Sequence, residues 1–211
     1  LKTRHLGVVD YHDTWSAMKI FVDARQAEDD DELWVCEHLP VYTLGQAGRA
    51  AHIHNAGDIP VVKSDRGGQV TYHGPGQVVV YTLLDLRRAG FGVRDMVTRL
   101  ENSVIAVLQD LNVIAVSRRD APGVYVNEAK IAALGLRVRK GTTYHGLAMN
   151  IDVDLTPFSG IDPCGYAGME VTSTQAQGIE VTKLQIIEKL VTQLQHHLST
   201  DVTHSGVKIC K

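Results

Sequence analysis

Residues 65–77 read DRGGQVTYHGPGQ, and the chain continues from Gln77 to Leu86 as QVVVYTLLDL. Four glycines, a proline, an arginine and a histidine within thirteen residues suit a phosphate cradle, a metal site or the wall of some other pocket. The element after the glycines separates these readings. A dinucleotide or P-loop cradle leads into a helix whose N-terminus faces the phosphate. Here the next segment is a β-prone run, and Ile59–Lys63 upstream reads as a short strand. The stretch is therefore expected to connect two strands, and without a GK[ST] ending it is no Walker loop.

Outward from this point the chain alternates helices and strands. Trp15, Met18 and Val22 lie at helical spacing within residues 13–26; the acidic run 28–32 then breaks into the apolar strand Leu33–Cys36. Val97, Leu100, Val104, Val107 (or Leu108) and Leu111 repeat at helical spacing with Asp95 as the expected cap. Residues 123–126 and 130–138 predict a hairpin through Asn127-Glu128-Ala129, and 142–153 a further strand after the Lys140-Gly141 turn. Leu184, Ile187, Val191, Leu194 and Leu198 predict a last helix, with Thr182 and Gln185 in capping-box register. The fold class expected is α/β (α+β), a mixed β-sheet flanked by helices. The chain is expected to form one domain over residues 1–198, with a polar tail at 199–211.

With 211 residues, 44% hydrophobic, 21% charged and a net charge of −3, the chain has no global pull toward nucleic acid and no apolar run of membrane-spanning length. Its first residues lack the pattern of a secretory signal, so a cytoplasmic protein is expected. Cys36, Cys164 and Cys210 are widely spaced without a CxxC, which points to free thiols rather than disulfides or a thiolate zinc site. Around His73 and His145 no HxH or HExxH spacing suggests a metal, so none is expected, and no cofactor. Cys36 lies in an apolar run and reads as a buried structural thiol. Cys164, between Pro163 and Gly165, lies on a bent loop that can be approached closely. A cysteine nucleophile needs a cationic or basic neighbour, and the candidates are Lys130, His73 and His145. Spacing alone brings none of them to Cys164.

Three segments, DRGGQVTYHGPGQ, APGVYVNEAKIAALGLRVRKGTTYHGLAMNID and DPCGYAGME, in this order and at these separations, closely resemble the lipoyl(octanoyl) transferases, or octanoyl-[acyl-carrier-protein]:protein N-octanoyltransferases. The resemblance spans essentially residues 33–170. It implies a fold shared with lipoate-protein and biotin protein ligases. It also implies transfer of an octanoyl group from octanoyl-acyl-carrier protein to a lysine of the lipoyl domains of 2-oxoacid dehydrogenases and the glycine cleavage system. By the same resemblance Cys164 becomes the acyl thioester and Lys130 is its partner. The acyl pocket would be lined by Arg66, Gly67, Gly68, Gln69, Val70, Thr71, Tyr72 and His73, with Ala133, Leu134, Gly135, Gly146, Leu147 and Ala148. His145 stands beside that set as a further candidate, and Ala133 occupies a position where many relatives carry Ser.

The chemistry suits these residues. An acyl-cysteine divides the transfer into two half-reactions at one pocket, so each carrier visits separately. Gly67, Gly68, Gly74 and Gly76 fit close-approach walls for an alkyl chain, with backbone N–H groups for a developing oxyanion. A monomer working without ATP is the expectation. The competing readings are an ATP-dependent lipoate or biotin ligase, a thiol hydrolase releasing free acid, and a noncatalytic module that only binds lipoyl domains.

Overall fold

A computed structural model describes residues 1–199. In chain order its elements are β1 (Lys2–Val9), α1 (Tyr11–Ala24), β2 (Glu32–His38), β3 (Val41–Leu44), β4 (Val61–Lys63), β5 (Val70–His73), β6 (Gln77–Leu83), α2 (Leu86–Ala89), α3 (Val93–Asp110), β7 (Val116–Ser117), β8 (Gly123–Val126), β9 (Ala129–Arg139), β10 (Thr142–Asn150) and α4 (Lys183–Leu198). Apart from Ser199, the expected polar tail, Cys210 included, lies outside the described residues.

A seven-stranded sheet runs β1-β2-β6-β10-β9-β8-β7, and a three-stranded sheet runs β4-β3-β5. β1 and β2 pair in parallel, which requires a crossover, and α1 is that crossover. The remaining pairings in the large sheet are antiparallel. Two hairpins join β8 to β9 and β9 to β10. Asn127 and Glu128 both take positive φ (46° and 72°), as do Lys140 and Gly141 (53° and 86°), the conformation that two-residue hairpin turns demand.

Alternation along β6 and β10 divides the core in two. Val78, Val80, Leu147 and Met149 face α3 and α4, where Met96, Leu100, Val104, Ile186, Leu190 and Leu194 are fully buried. Val79, Tyr81, Tyr144 and Ala148 face the other way, toward Met18 and Val22 of α1. The small sheet has its own core around Tyr42, Tyr72 and Phe158.

The structure corrects three local expectations. The glycine-rich stretch does not merely link two strands: it contains β5, paired with β3, and passes through the Gly74–Gly76 turn into β6 of the other sheet. Asp95 is not the N-cap of α3; Gly92 is, and the Asp95 carboxylate, one turn in, accepts the Gly92 N–H at 3.3 Å. The buried stripe of α4 is Ile186, Leu190, Leu194 and Leu198, while Leu184 is 63% exposed. Leu184 falls in the first turn, where the capping box of Thr182 and Gln185 fixes the entry angle before the helix reaches α3.

Candidate active site

Cys164 sits in a single 3-10 turn, Pro163–Gly165, with φ 58° and ψ 13°. That left-handed conformation costs a non-glycine residue on the order of 1 kcal/mol or more and persists only where surroundings impose it. The surroundings here are explicit. Gly165 N–H donates to Asp162 O at 2.9 Å, and Asp162 N–H donates to His52 O at 2.9 Å. The Asp162 carboxylate also meets His52 Nδ1 at 3.2 Å and His54 Nε2 at 2.9 Å.

Lys130 reaches the same point from β9. Its N–H donates to Glu170 O at 2.8 Å and its carbonyl accepts Thr172 N–H at 2.9 Å, so the segment that carries Cys164 is also fixed on its far side. Between β8 and β9 the register slips, with Val124 opposite Ala132 but Tyr125 opposite Lys130. This bulge at Ile131 re-aims the lysine, a common device beside active sites. Gly123 makes room: a Cβ there would lie 3.0 Å from Lys130 Cε and 2.8 Å from Ala132 O. The result is Lys130 Nζ at 2.8 Å from Cys164 Sγ and 3.2 Å from Pro122 O, with only 3% of the residue exposed. Burial pulls the Lys130 ammonium down, but the charge and hydrogen bond of Cys164 outweigh it and raise its pKa. A cation against sulfur is the setting in which cysteines act as nucleophiles. Cys36 is in the opposite setting: buried beside Glu37, its thiol is pushed up to about 12.

The two triplets expected to line the pocket are adjacent strands in register: Ala133 pairs with Ala148, Leu134 with Leu147 and Gly135 with Gly146. With Arg66, Gly68, Gln69, Val70, Thr71, His73 and Cys164 they border a partly open cavity of mainly apolar lining. The Arg66 guanidinium folds its own loop: Nε donates to Thr43 Oγ1 at 2.9 Å, Nη1 to Gly67 O at 2.9 Å, and Nη2 to Gln69 O at 2.7 Å.

Two expected lining residues are elsewhere. Tyr72 points into the core of the small sheet, as alternation with Thr71 and His73 requires, and Gly67 borders an outer groove that also reaches Cys164. Gly74 and Gly76 are not walls either: a Cβ on Gly74 would meet Tyr72 Oη at 2.1 Å, and one on Gly76 would meet Val153 N at 2.6 Å. The N–H groups of Gly67 and Gly76 are already donated, to Leu136 O at 3.0 Å and Glu37 Oε2 at 2.6 Å, which removes both as oxyanion donors. The glycines thus separate by cost. Gly146→Ala is expected to lose about 3 kcal/mol of stability or more, because its Cβ would stand 2.0 Å from the Val80 carbonyl, which cannot move without the sheet. Gly68→Ala, at φ 85° but with its nearest neighbour 3.5 Å away, is expected to lose about 1–2 kcal/mol from backbone strain alone. Urea denaturation of the two variants checks the order.

Several residues at the site were not anticipated. Tyr11, Val79 and Tyr81 also line the cavity; Val79 and Tyr81 alternate with the core residues of β6, the one signal that pointed to them. Glu101 of α3, 7% exposed, accepts Gly123 N–H at 2.9 Å behind Lys130. Burial raises its pKa against the opposing pull of the Gly123 N–H and Lys130. A carboxylate four residues from both Val97 and Ile105, next to Leu100, was a legible anomaly. Asp65 receives Trp15 Nε1 at 2.7 Å, His145 Nε2 at 2.8 Å and the Tyr144 hydroxyl at 2.5 Å. Burial opposes its charge, yet these bonds hold its carboxyl well below the usual range.

His73 contacts Gln77 Oε1 through Nδ1 at 2.7 Å and stacks on Tyr11 at 5.9 Å. Burial, then repulsion from His38 and Arg66, drives its pKa from 6.5 to about 3. Because the folded value lies below the unfolded one, its contribution to stability is complete above about pH 6.5 and is lost as pH falls toward 3. His38 and His145 are lowered too, chiefly by burial, and act with the same sign. His73→Gln is therefore expected to flatten the acid loss of stability by about 1 kcal/mol per pH unit between about pH 6 and 5. Denaturant titrations at both pH values would show it, and an unchanged slope would disprove the assignment.

Comparison with known proteins identifies the family and the fold. A family model described as "Lipoyl protein ligase A/B catalytic domain" matches residues 10–208. The octanoyltransferase of Chromobacterium violaceum is 54% identical over 93% of this chain and 95% of its own length. That of Pseudomonas syringae is 55% identical over 92% and 89%. Among solved structures, lipoate-protein ligase A bound with ATP superposes with a TM-score of 0.75 at 16% identity, covering 94% of this chain and 86% of the other. The biotin protein ligase of Aquifex aeolicus in complex with biotin and ATP gives 0.61 at 13%, over 93% and 70%. At such identities these two likenesses carry the fold alone.

Proposed function

The chain belongs to the lipoyl protein ligase A/B catalytic-domain family, and from that premise we propose that it transfers an octanoyl group, by way of an acyl-cysteine, to a lysine of lipoyl domains. The donor in this reading is octanoyl-acyl-carrier protein. The acceptors are the lipoyl domains of 2-oxoacid dehydrogenases and the glycine cleavage system. The enzyme acts as a cytoplasmic monomer, with residues 1–198 as one catalytic domain. The observation that carries the proposal is the 2.8 Å approach of Lys130 Nζ to Cys164 Sγ at the edge of an apolar cavity.

In the first half-reaction Cys164 Sγ attacks the thioester carbonyl. A new C–S bond forms, the carrier's C–S bond breaks, and the departing carrier thiolate takes a proton from the Lys130 ammonium. In the second, the target lysine releases one proton to water and attacks the acyl-cysteine as a neutral amine. Its second proton passes to neutral Lys130, and Cys164 leaves as thiolate beside the restored ammonium. ATP-dependent ligation gives a thiol at this position no task. A thiol hydrolase of the Cys–His type needs a histidine on sulfur, whereas among the described residues the polar side chain within hydrogen-bond reach of Sγ is that of Lys130. Intact-mass measurement after mixing with octanoyl-acyl-carrier protein tests donor, intermediate and acceptor together. One octanoyl adduct is expected on the enzyme, passing to a lipoyl domain when that is added. Free octanoate without lipoyl-domain acylation would refute the proposal.

A further inference from the structure

His145 bears two local penalties at once. It lies within β10 at φ 60°, although it is paired in register with Leu136. Regular alternation would put its ring beside Leu147 and Met149, on the face covered by α3 and α4. The left-handed turn brings it instead to the side of Tyr144, against which it stacks at 4.9 Å, and into the wall of the cavity. Its Nε2 is held by Asp65 at 2.8 Å, and its Nδ1 is buried with no hydrogen-bond partner among the described residues. With the carboxylate accepting at Nε2, the Nδ1 that remains is a bare lone pair.

Its place along the cavity gives this a use. Cys164 shares Ala133 with both the acyl cavity and the small recess that holds Lys130, and Ala133 is paired with Ala148. From Ala148 back to His145 is three strand residues, about 10 Å, comparable to an extended octanoyl chain. Val79 and Ala148 wall the space between, and at the far level the His145 ring meets that of Tyr81 edge-on at 6.1 Å. We propose that His145 closes the acyl cavity at the length of octanoyl, acting as a specificity-determining residue. A longer chain must displace a ring that Asp65 anchors at Nε2 and that stacks on Tyr144. The proposal rests on the acyl-transfer reading and adds to it the residue that sets chain length.

The test compares the parent with His145→Gly and His145→Asn. Both replacements accept the left-handed backbone, and asparagine keeps an amide for Asp65, so one remains informative should the other fail to fold. Transfer is measured with hexanoyl, octanoyl, decanoyl and dodecanoyl donors, and equilibrium binding with the matching free acids. His145→Gly is expected to raise the decanoyl-to-octanoyl ratio about tenfold, the value of burying two further methylenes, in both measurements. His145→Asn should raise it less. A ratio unchanged in binding and transfer overturns the role of His145 while leaving acyl transfer standing. Absence of transfer by the parent would refute the acyl-transfer reading itself, and the binding series would still decide the role of His145.

Discussion

Cys164→Ala is expected to abolish the octanoyl adduct and to lower transfer to a lipoyl domain by at least about 10³-fold, the scale on which removal of a covalent nucleophile acts. The variant should fold as the parent does, because the turn holding residue 164 is fixed by Asp162 and its two histidines rather than by the thiol. Cys36→Ala supplies the contrast. Cys36 is 3% exposed and its thiol is pushed up to about 12, so alkylation by iodoacetamide at neutral pH should label Cys164 and leave Cys36 untouched in the folded protein. Peptide mapping that finds the octanoyl group on Cys36 would reject the assignment outright.

Lys130 should prove nearly as important, but for a separable reason. Lys130→Met keeps the length and apolar stem while removing the charge, and is expected to lower transfer by about 10²–10⁴-fold. It should also slow alkylation of Cys164, which loses the cation 2.8 Å from its sulfur. Lys130→Arg divides the two roles, since a guanidinium supplies charge but does not give up its proton at any accessible pH. That variant should still be alkylated at Cys164 while failing to pass the acyl group to the acceptor amine. If Lys130→Met transfers at near the parental rate, with unchanged circular dichroism, no proton passes through this residue.

Much of this was legible from residue order alone, and the boundary is physical. Hairpins announced themselves because turn chemistry is local: Asn127-Glu128 and Lys140-Gly141 supply the positive φ their turns require. Helices α1, α3 and α4 were visible from the period of their apolar residues. β1 and β3 were not, because each is defined by a partner distant in the chain, β2 across a helix and β5 across the loop that contains β4. The acyl-pocket triplets could be named from the family resemblance, yet their register, Ala133 on Ala148 through Gly135 on Gly146, is a tertiary fact. Asp65 illustrates the remainder. It opens the glycine-rich stretch with nothing in its neighbours to mark it, and only folding brings Trp15, Tyr144 and His145 to it.

The two-sided mooring of the Cys164 segment also has a bearing on when the enzyme becomes reactive. Its ties join residues far apart in sequence: His52 to Asp162 across 110 positions, and Lys130 to Cys164 across 34. Contacts of such separation carry a large loop-closure entropy and are slow to form. During synthesis, Lys130 leaves the ribosome well before the cysteine it will serve, and Cys164 emerges with neither His52 nor Lys130 yet docked. On the proposed mechanism, a nascent chain therefore carries a thiol without its lysine, and the Lys130–Cys164 contact that the reaction needs forms only when the last long-range contacts close. Acyl transfer at this one sulfur would then report on the completed fold.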